Sequence, residues 1–132
     1  MATQAEEYLQ AYGEHARILR SWLVAYGIGA PVLLMTNDAF AAAVQDSKNA
    51  RLIAGCFLTG VALQVLVSAV NKASMWGLYY GETTSSFKNA VPYRIAHWLS
   101  ERYWTDLLVD VVTMGLFVLA TLKAFFAVIR AA

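Results

Sequence analysis

Between Arg51 and Lys72 the sequence LIAGCFLTGVALQVLVSAVN contains no Asp, Glu, Lys, Arg or His. A helix of about 20 apolar residues crosses the ~30 Å hydrocarbon core of a bilayer. A buried helix of a soluble bundle carries charges interleaved along its solvent side, and this stretch has none. Two further apolar runs, about 18–36 and 107–129, reach the same length. The whole chain is 59% hydrophobic and 14% charged, against roughly half and a quarter in soluble domains. Lipid offers no partner to an open backbone group, so segments that span it are helical. The expected fold is therefore all-α, a single membrane domain over 1–132 with transmembrane helices at about 18–36, 52–70 and 107–129. A helical N-terminal arm and an amphipathic helix before the third span would form a cytoplasmic cap from 1–17 and 71–106.

Arg17 and Arg20 ahead of an apolar run, followed by Ala39-Phe40-Ala41-Ala42, imitate a secretory signal with its small-residue cleavage site. Glu6, Glu7 and Glu14 make the preceding segment too acidic for that, so an uncleaved anchor is expected. Arg17, Arg20, Lys72, Lys88, Arg94 and Arg102 lie in the arm and the 71–106 connection, whereas Lys48, Arg51 and Arg130 lie on the other side. Lys123 is expected to snorkel towards Arg130. The excess of Lys and Arg places the N-terminus and the 71–106 connection of a multi-pass protein in the cytoplasm, with the C-terminus outside.

The net charge of +1 gives no global field for nucleic acid, and the single Cys56 excludes an internal disulfide or a cysteine-based zinc cluster. The sequence has no HExxH, no phosphate-binding glycine loop and no GxSxG. No enzyme activity, cofactor or metal is expected. With three spans and no internal repeat, a secondary transporter is disfavoured as well.

Tyr8, Tyr12, His15, Leu19, Trp22 and Tyr26 recur at alternating spacings of four and three, the pattern of a helix packing along another helix. His15 on this seam reads as a packed histidine. Met75-Trp76-Gly77-Leu78-Tyr79-Tyr80 reads as an aromatic anchor at headgroup level, followed by a polar loop over 81–86. Pro92 suits the first turn of an amphipathic helix, with Val91, Ile95, Trp98, Leu99, Arg102 and Tyr103 on one side and Arg94, His97 and Glu101 on another. This helix lies either on lipid or against the N-terminal arm. Arg17, Arg20, Lys88, Arg94 and Arg102 would then enforce topology or receive an anionic ligand at the cytoplasmic face.

Within the spans, Pro31 cannot donate to the Gly27 carbonyl, so Gly27 and Pro31 mark a candidate hinge. Gln64, Ser68 and Asn71 share a face that should point inward. At 100° per residue, Asp106, Asp110, Thr113, Phe117, Thr121 and Ala124 fall on one face of the third span. Arg102 stands four residues before Asp106, and an ion pair between them is the simplest way to satisfy that carboxylate. Asp110 lies about a turn deeper, where a carboxylate needs a partner or water. Closed symmetry would repeat this stripe as rings, with Asp106 and Asp110 favouring cations, Thr113 and Thr121 lining the path and Phe117 obstructing it.

The segment Leu19-Arg20-Ser21-Trp22-Leu23-Val24-Ala25-Tyr26-Gly27-Ile28-Gly29-Ala30-Pro31-Val32-Leu33-Leu34 resembles the first span of small membrane proteins of bacterial anti-phage operons. The layout of the whole chain is similar to that of such effectors, the Hailong-type membrane effector among them. The resemblance implies an oligomeric channel that depolarises the inner membrane when infection is sensed. It also implies gating by a nucleotide or nucleic-acid signal at the cytoplasmic face, and it carries over no specific binding residue. The expected function is thus a homo-oligomeric gated pore, partnered by copies of itself and by lipid. The alternative is a non-conducting anchor whose cap recruits a soluble cytoplasmic partner.

Overall fold

The computed structural model describes residues 4–84 and 86–131, with the side chains of Ala5, Glu6, Leu9 and Tyr103 outside the description. Five helices follow in order: α1 (Gln4–Met35), α2 (Asp38–Gln45), α3 (Ala50–Thr83), α4 (Val91–Ser100) and α5 (Tyr103–Ala131), with a 3₁₀ turn at Phe87–Asn89 before α4. No strand occurs among the described residues. Gln10–Met35, Ala50–Thr83 and Trp104–Ala131 are long and apolar enough to cross a membrane. They are compatible with a multi-pass membrane protein.

The bundle is built on the antiparallel pair α3 and α5, with α1 laid mainly on α3. Lipid tails are as apolar as leucine, so membrane helices associate through close packing and hydrogen bonds more than through the hydrophobic effect. The core fits that rule, joining Leu23, Ile53, Phe57 and Phe117 to the fully enclosed Ala120 and Ala124. Phe117 stacks on Phe57 with ring centroids 5.7 Å apart and touches Tyr26 at 5.8 Å. A β-carbon at Gly27 or Gly60 would run into the Phe117 ring, so both glycines form the seat of that side chain.

Three local features depart from the sequence expectations. First, α3 does not end near residue 70 but runs unbroken through Met75–Tyr80 to Thr83. Its 34 residues span about 51 Å, about 20 Å more than the hydrocarbon needs. The aromatic segment is thus the outer part of a long helix, where Trp76 stacks on Tyr80 at 5.4 Å. The polar loop shrinks to the residues after Thr83, of which Ser85 lies outside the described residues. Second, α4 packs on this protruding end of α3 and not along the N-terminal arm. Ala96 sits over Gly77, and Tyr93 presses against Gly81, where a β-carbon has no room. Lys88 Nζ and Tyr93 Oη donate to the Glu82 carboxylate at 2.8 and 3.0 Å and tie the corner together. The hydrogen bond to Glu82 raises both Lys88 and Tyr93 above their ordinary pKa values. Third, the loop between the first two spans contains α2, started by Asn37, whose Oδ1 accepts from the backbone N–H groups of Ala39 and Phe40.

The aromatic seam of α1 is the clearest correction. Ala16, Arg20, Leu23, Gly27, Ala30 and Leu34 are the residues that α1 turns inward, also at spacings of four and three. Tyr8, Tyr12, His15, Leu19, Trp22 and Tyr26 lie about a quarter-turn round the helix and are exposed to different degrees, with Tyr26 alone among them reaching the Phe117 ring. Spacing alone finds a seam but not its partner. The small residues at Ala16, Gly27 and Ala30 permit the close approach that bulky rings prevent. Helix α1 is continuous through Pro31 to Met35.

Candidate functional site

The polar residues predicted for the second and third spans meet inside one protomer. Gln64 and Thr113 are fully buried and Asp110 is 4% exposed. Gln64 Nε2 donates to Asp110 Oδ1 at 2.9 Å and to Thr113 Oγ1 at 3.1 Å. About two turns further along α3, Asn71 Nδ2 donates to Asp106 Oδ1 at 3.1 Å. The spacing follows from antiparallel packing, in which each step towards the C-terminus on α3 meets a step towards the N-terminus on α5. Ser68, on the same side of α3, is exposed instead and lines a groove beside α1.

Arg20 of α1 closes this cluster. Its guanidinium forms an ion pair with Asp106, and its Nε stands 3.9 Å from Asp110 Oδ1. The Asp106 contact is one of charge and proximity, since Arg20 Nη2 and Nε make no aligned hydrogen bond. Gln64 Oε1 is buried and without a donor as well. The cluster therefore holds two carboxylates against one guanidinium, with an acceptor to spare, in a setting where an uncompensated charge is costly. Such an arrangement is intolerant of change, because loss of Arg20 would leave a surplus of buried negative charge.

Arg102 does not pair with Asp106, contrary to the spacing of four. It precedes the start of α5, so the two never share a helical surface, and its guanidinium lies 3.9 Å over the Trp98 ring. Sequence reasoning missed Arg20 as the partner. The available signal was a cation close to the start of one span facing acids at the start of another.

Below the cluster the stripe continues to Phe117, 3% exposed in its glycine seat. One turn further, Tyr26 Oη and Thr121 Oγ1 share a hydrogen bond of 2.7 Å. Asp106, Asp110, Thr113, Phe117 and Thr121 thus face α1 and α3 of the same protomer, with α1 attached at Arg20 on one side of Phe117 and at Tyr26 on the other. Between these attachments an apolar groove of about 290 Å³ separates α1 from α5, bordered by Leu23, Tyr26, Phe117 and Met114.

The cations proposed to receive a ligand do not form one site. Arg17 and Arg20 line a groove of about 450 Å³ between α1 and α3, with Gly13, Ser21 and Ser68. Lys88 and Arg94 line a separate cleft of about 400 Å³ on α4 with Tyr93, His97, Trp98 and Glu101. Lys123 and Arg130, at the far end of α5, border a cleft of about 870 Å³ with Lys48 and Asp46. Among the described residues no group of His, Cys, Asp and Glu is placed to hold a metal ion.

No protein family, curated protein or solved structure matches this chain.

Proposed function

We propose that the chain assembles with copies of itself into a gated ion pore of a bacterial inner membrane, with α1 as the gate. The observation that carries this reading is the coverage of the α5 stripe. Arg20 holds α1 to the two carboxylates, Tyr26 holds it to Thr121, and Phe117 fills the space between. In this closed arrangement the stripe is shielded. Withdrawal of α1 about Gly27 and Pro31 would remove the guanidinium and Tyr26 and take the Gly27 side of its seat away from Phe117. Asp106 and Asp110 would then face the path and draw cations, with Thr113 and Thr121 lining it. The Tyr26–Thr121 hydrogen bond is worth only ~0.6–2 kcal/mol, so the Arg20 ion pair is the stronger hold that a ligand at the cytoplasmic face would have to release. The N-terminus and α4 would lie on that face. The resemblance to anti-phage effectors adds the consequence of opening, which is depolarisation.

Purified protein of defined mass, recorded in planar bilayers, tests the reading. A conducting oligomer whose cation preference falls on Asp110→Asn supports it. An oligomer that stays silent, or whose selectivity ignores Asp110, refutes it.

A second reading, a non-conducting anchor that recruits a soluble partner, is favoured by one observation. Val91, Ile95 and Trp98 of α4 are 65%, 53% and 52% exposed on an apolar side that lies outside the spans. Loss of partner capture without any change in current on Trp98→Ala would support that alternative.

A further inference from the structure

We infer that the aromatic seam of α1 is the contact between copies, with Tyr8, Tyr12, His15, Leu19, Trp22 and Tyr26 packing against the same helix of a neighbouring protomer. This rests on the self-assembly proposed above and says which surface performs it. The seam has the spacing of a helix–helix contact, yet apart from Tyr26, which reaches Phe117 and Thr121, its own chain makes that contact with a different face of α1. Lipid accounts for only part of it. Counting back about 20 residues from the end of α1 at Met35 reaches Ala16, so Tyr12 and His15 lie at the outer end of the apolar span and Tyr8 beyond it. Every described side chain from Gln4 to His15 is exposed.

The chemistry favours a second copy as the occupant. Positions flanking the seam are Leu9, Ala11, Ala16, Ile18, Leu23 and Ala25, so two identical helices meet without like charges. Copies in one membrane share an orientation, and rotation about the membrane normal keeps each residue at its own depth. Tyr12 therefore meets Tyr12, and Leu19 meets Leu19. Exposures of 68%, 42%, 71% and 44% at Tyr8, Tyr12, Trp22 and Tyr26, on rings of about 150–250 Å², leave roughly 450 Å² per copy. A pair brings together roughly 900 Å², and His15 and Leu19 carry it to the ~1,000 Å² that a biological interface needs. The seam also borders the open groove between α1 and α5, so the contact engages the helix that covers the stripe and would couple its release between copies.

Single cysteines at Tyr12, Leu19, Glu14 and Ser21, each in a Cys56→Ser background, test this by oxidation in native membranes, beside the mass of the unmodified protein in mild detergent. Tyr12→Cys and Leu19→Cys should give disulfide-linked pairs at least about five-fold more abundant than Glu14→Cys and Ser21→Cys. Equal linkage at all four positions, or none at the seam while the purified protein remains oligomeric, overturns the inference alone and assigns the seam to lipid or to another protein. A monomeric protein overturns the self-assembly on which it rests.

Discussion

Replacement of Arg20 by methionine removes the cation from a cluster whose two carboxylates are largely shielded from water. The side chains of Asp106 and Asp110 are only 18% and 6% exposed, and that of Arg20 only 15%. Breaking a buried ion pair by removing one partner costs about 3–5 kcal/mol. Arg20→Met should fall in that range, since both acids depend on it. Asp110→Asn is milder. Its amide oxygen can still accept from Gln64 Nε2, and Arg20 retains Asp106, so about 1 kcal/mol is expected. Adding Asp110→Asn to Arg20→Met should recover roughly 2 kcal/mol by removing the deeper of the two orphaned charges. The resulting coupling lies in the upper part of the range for residues in contact. Reversible unfolding in mixed micelles, followed by helical circular dichroism, gives all three values. Additive effects of the two substitutions, or an Arg20→Met loss below about 1 kcal/mol, would refute the argument that one guanidinium balances both acids.

Other substitutions probe the packing around this cluster. Gly60→Ala should destabilise by about 1–3 kcal/mol, the usual range for overpacking, because its β-carbon meets the Phe117 ring. Gly55→Ala, with nothing near its β-carbon, should be neutral in the same unfolding assay. Tyr26→Phe should lose the Thr121 hydrogen bond, worth ~0.6–2 kcal/mol, and raise the resting leak in bilayer recordings. The α3–α4 corner should loosen in alkali. Lys88 is raised above its ordinary value by its bond to Glu82, so its contribution is complete below about pH 10 and fades as pH passes the folded-state value. Protection of the α4 amides should fall there beyond the intrinsic rise of exchange with pH. Lys88→Met combined with Tyr93→Phe, since Tyr93 also donates to Glu82, should abolish the dependence.

The spans and the stripe on α5 were legible because hydropathy and a 100° period act within one helix. The N-terminal position of Pro92 in α4 was legible for the same reason, being a local backbone constraint. What could not be read was the pairing between helices. Arg20 and Asp106 are joined only by the tertiary packing, whereas Arg102 and Asp106 look joined in sequence and are separated by the start of α5. The outer half of α3 was read as a headgroup anchor and loop because its aromatic and polar residues break the apolar run. Helical hydrogen bonding is indifferent to that change of solvent, and Gly77 and Gly81 then serve as docking points for α4. Asn37 followed by Asp38 was an available start signal for α2. For α1, two stripes share the same spacing, and only the bulk of the rings distinguishes the one that cannot pack closely.

If α1 is the gate, it must leave α5 for current to flow. Cysteines replacing Tyr26 and Thr121, joined by a reducible bis-methanethiosulfonate bridge of about the length of the lost tyrosine side chain, test it directly. Bridged protein should be silent under conditions in which the unbridged variant conducts, with current restored by dithiothreitol. A bridged protein that conducts as well as the unbridged one would contradict the claim.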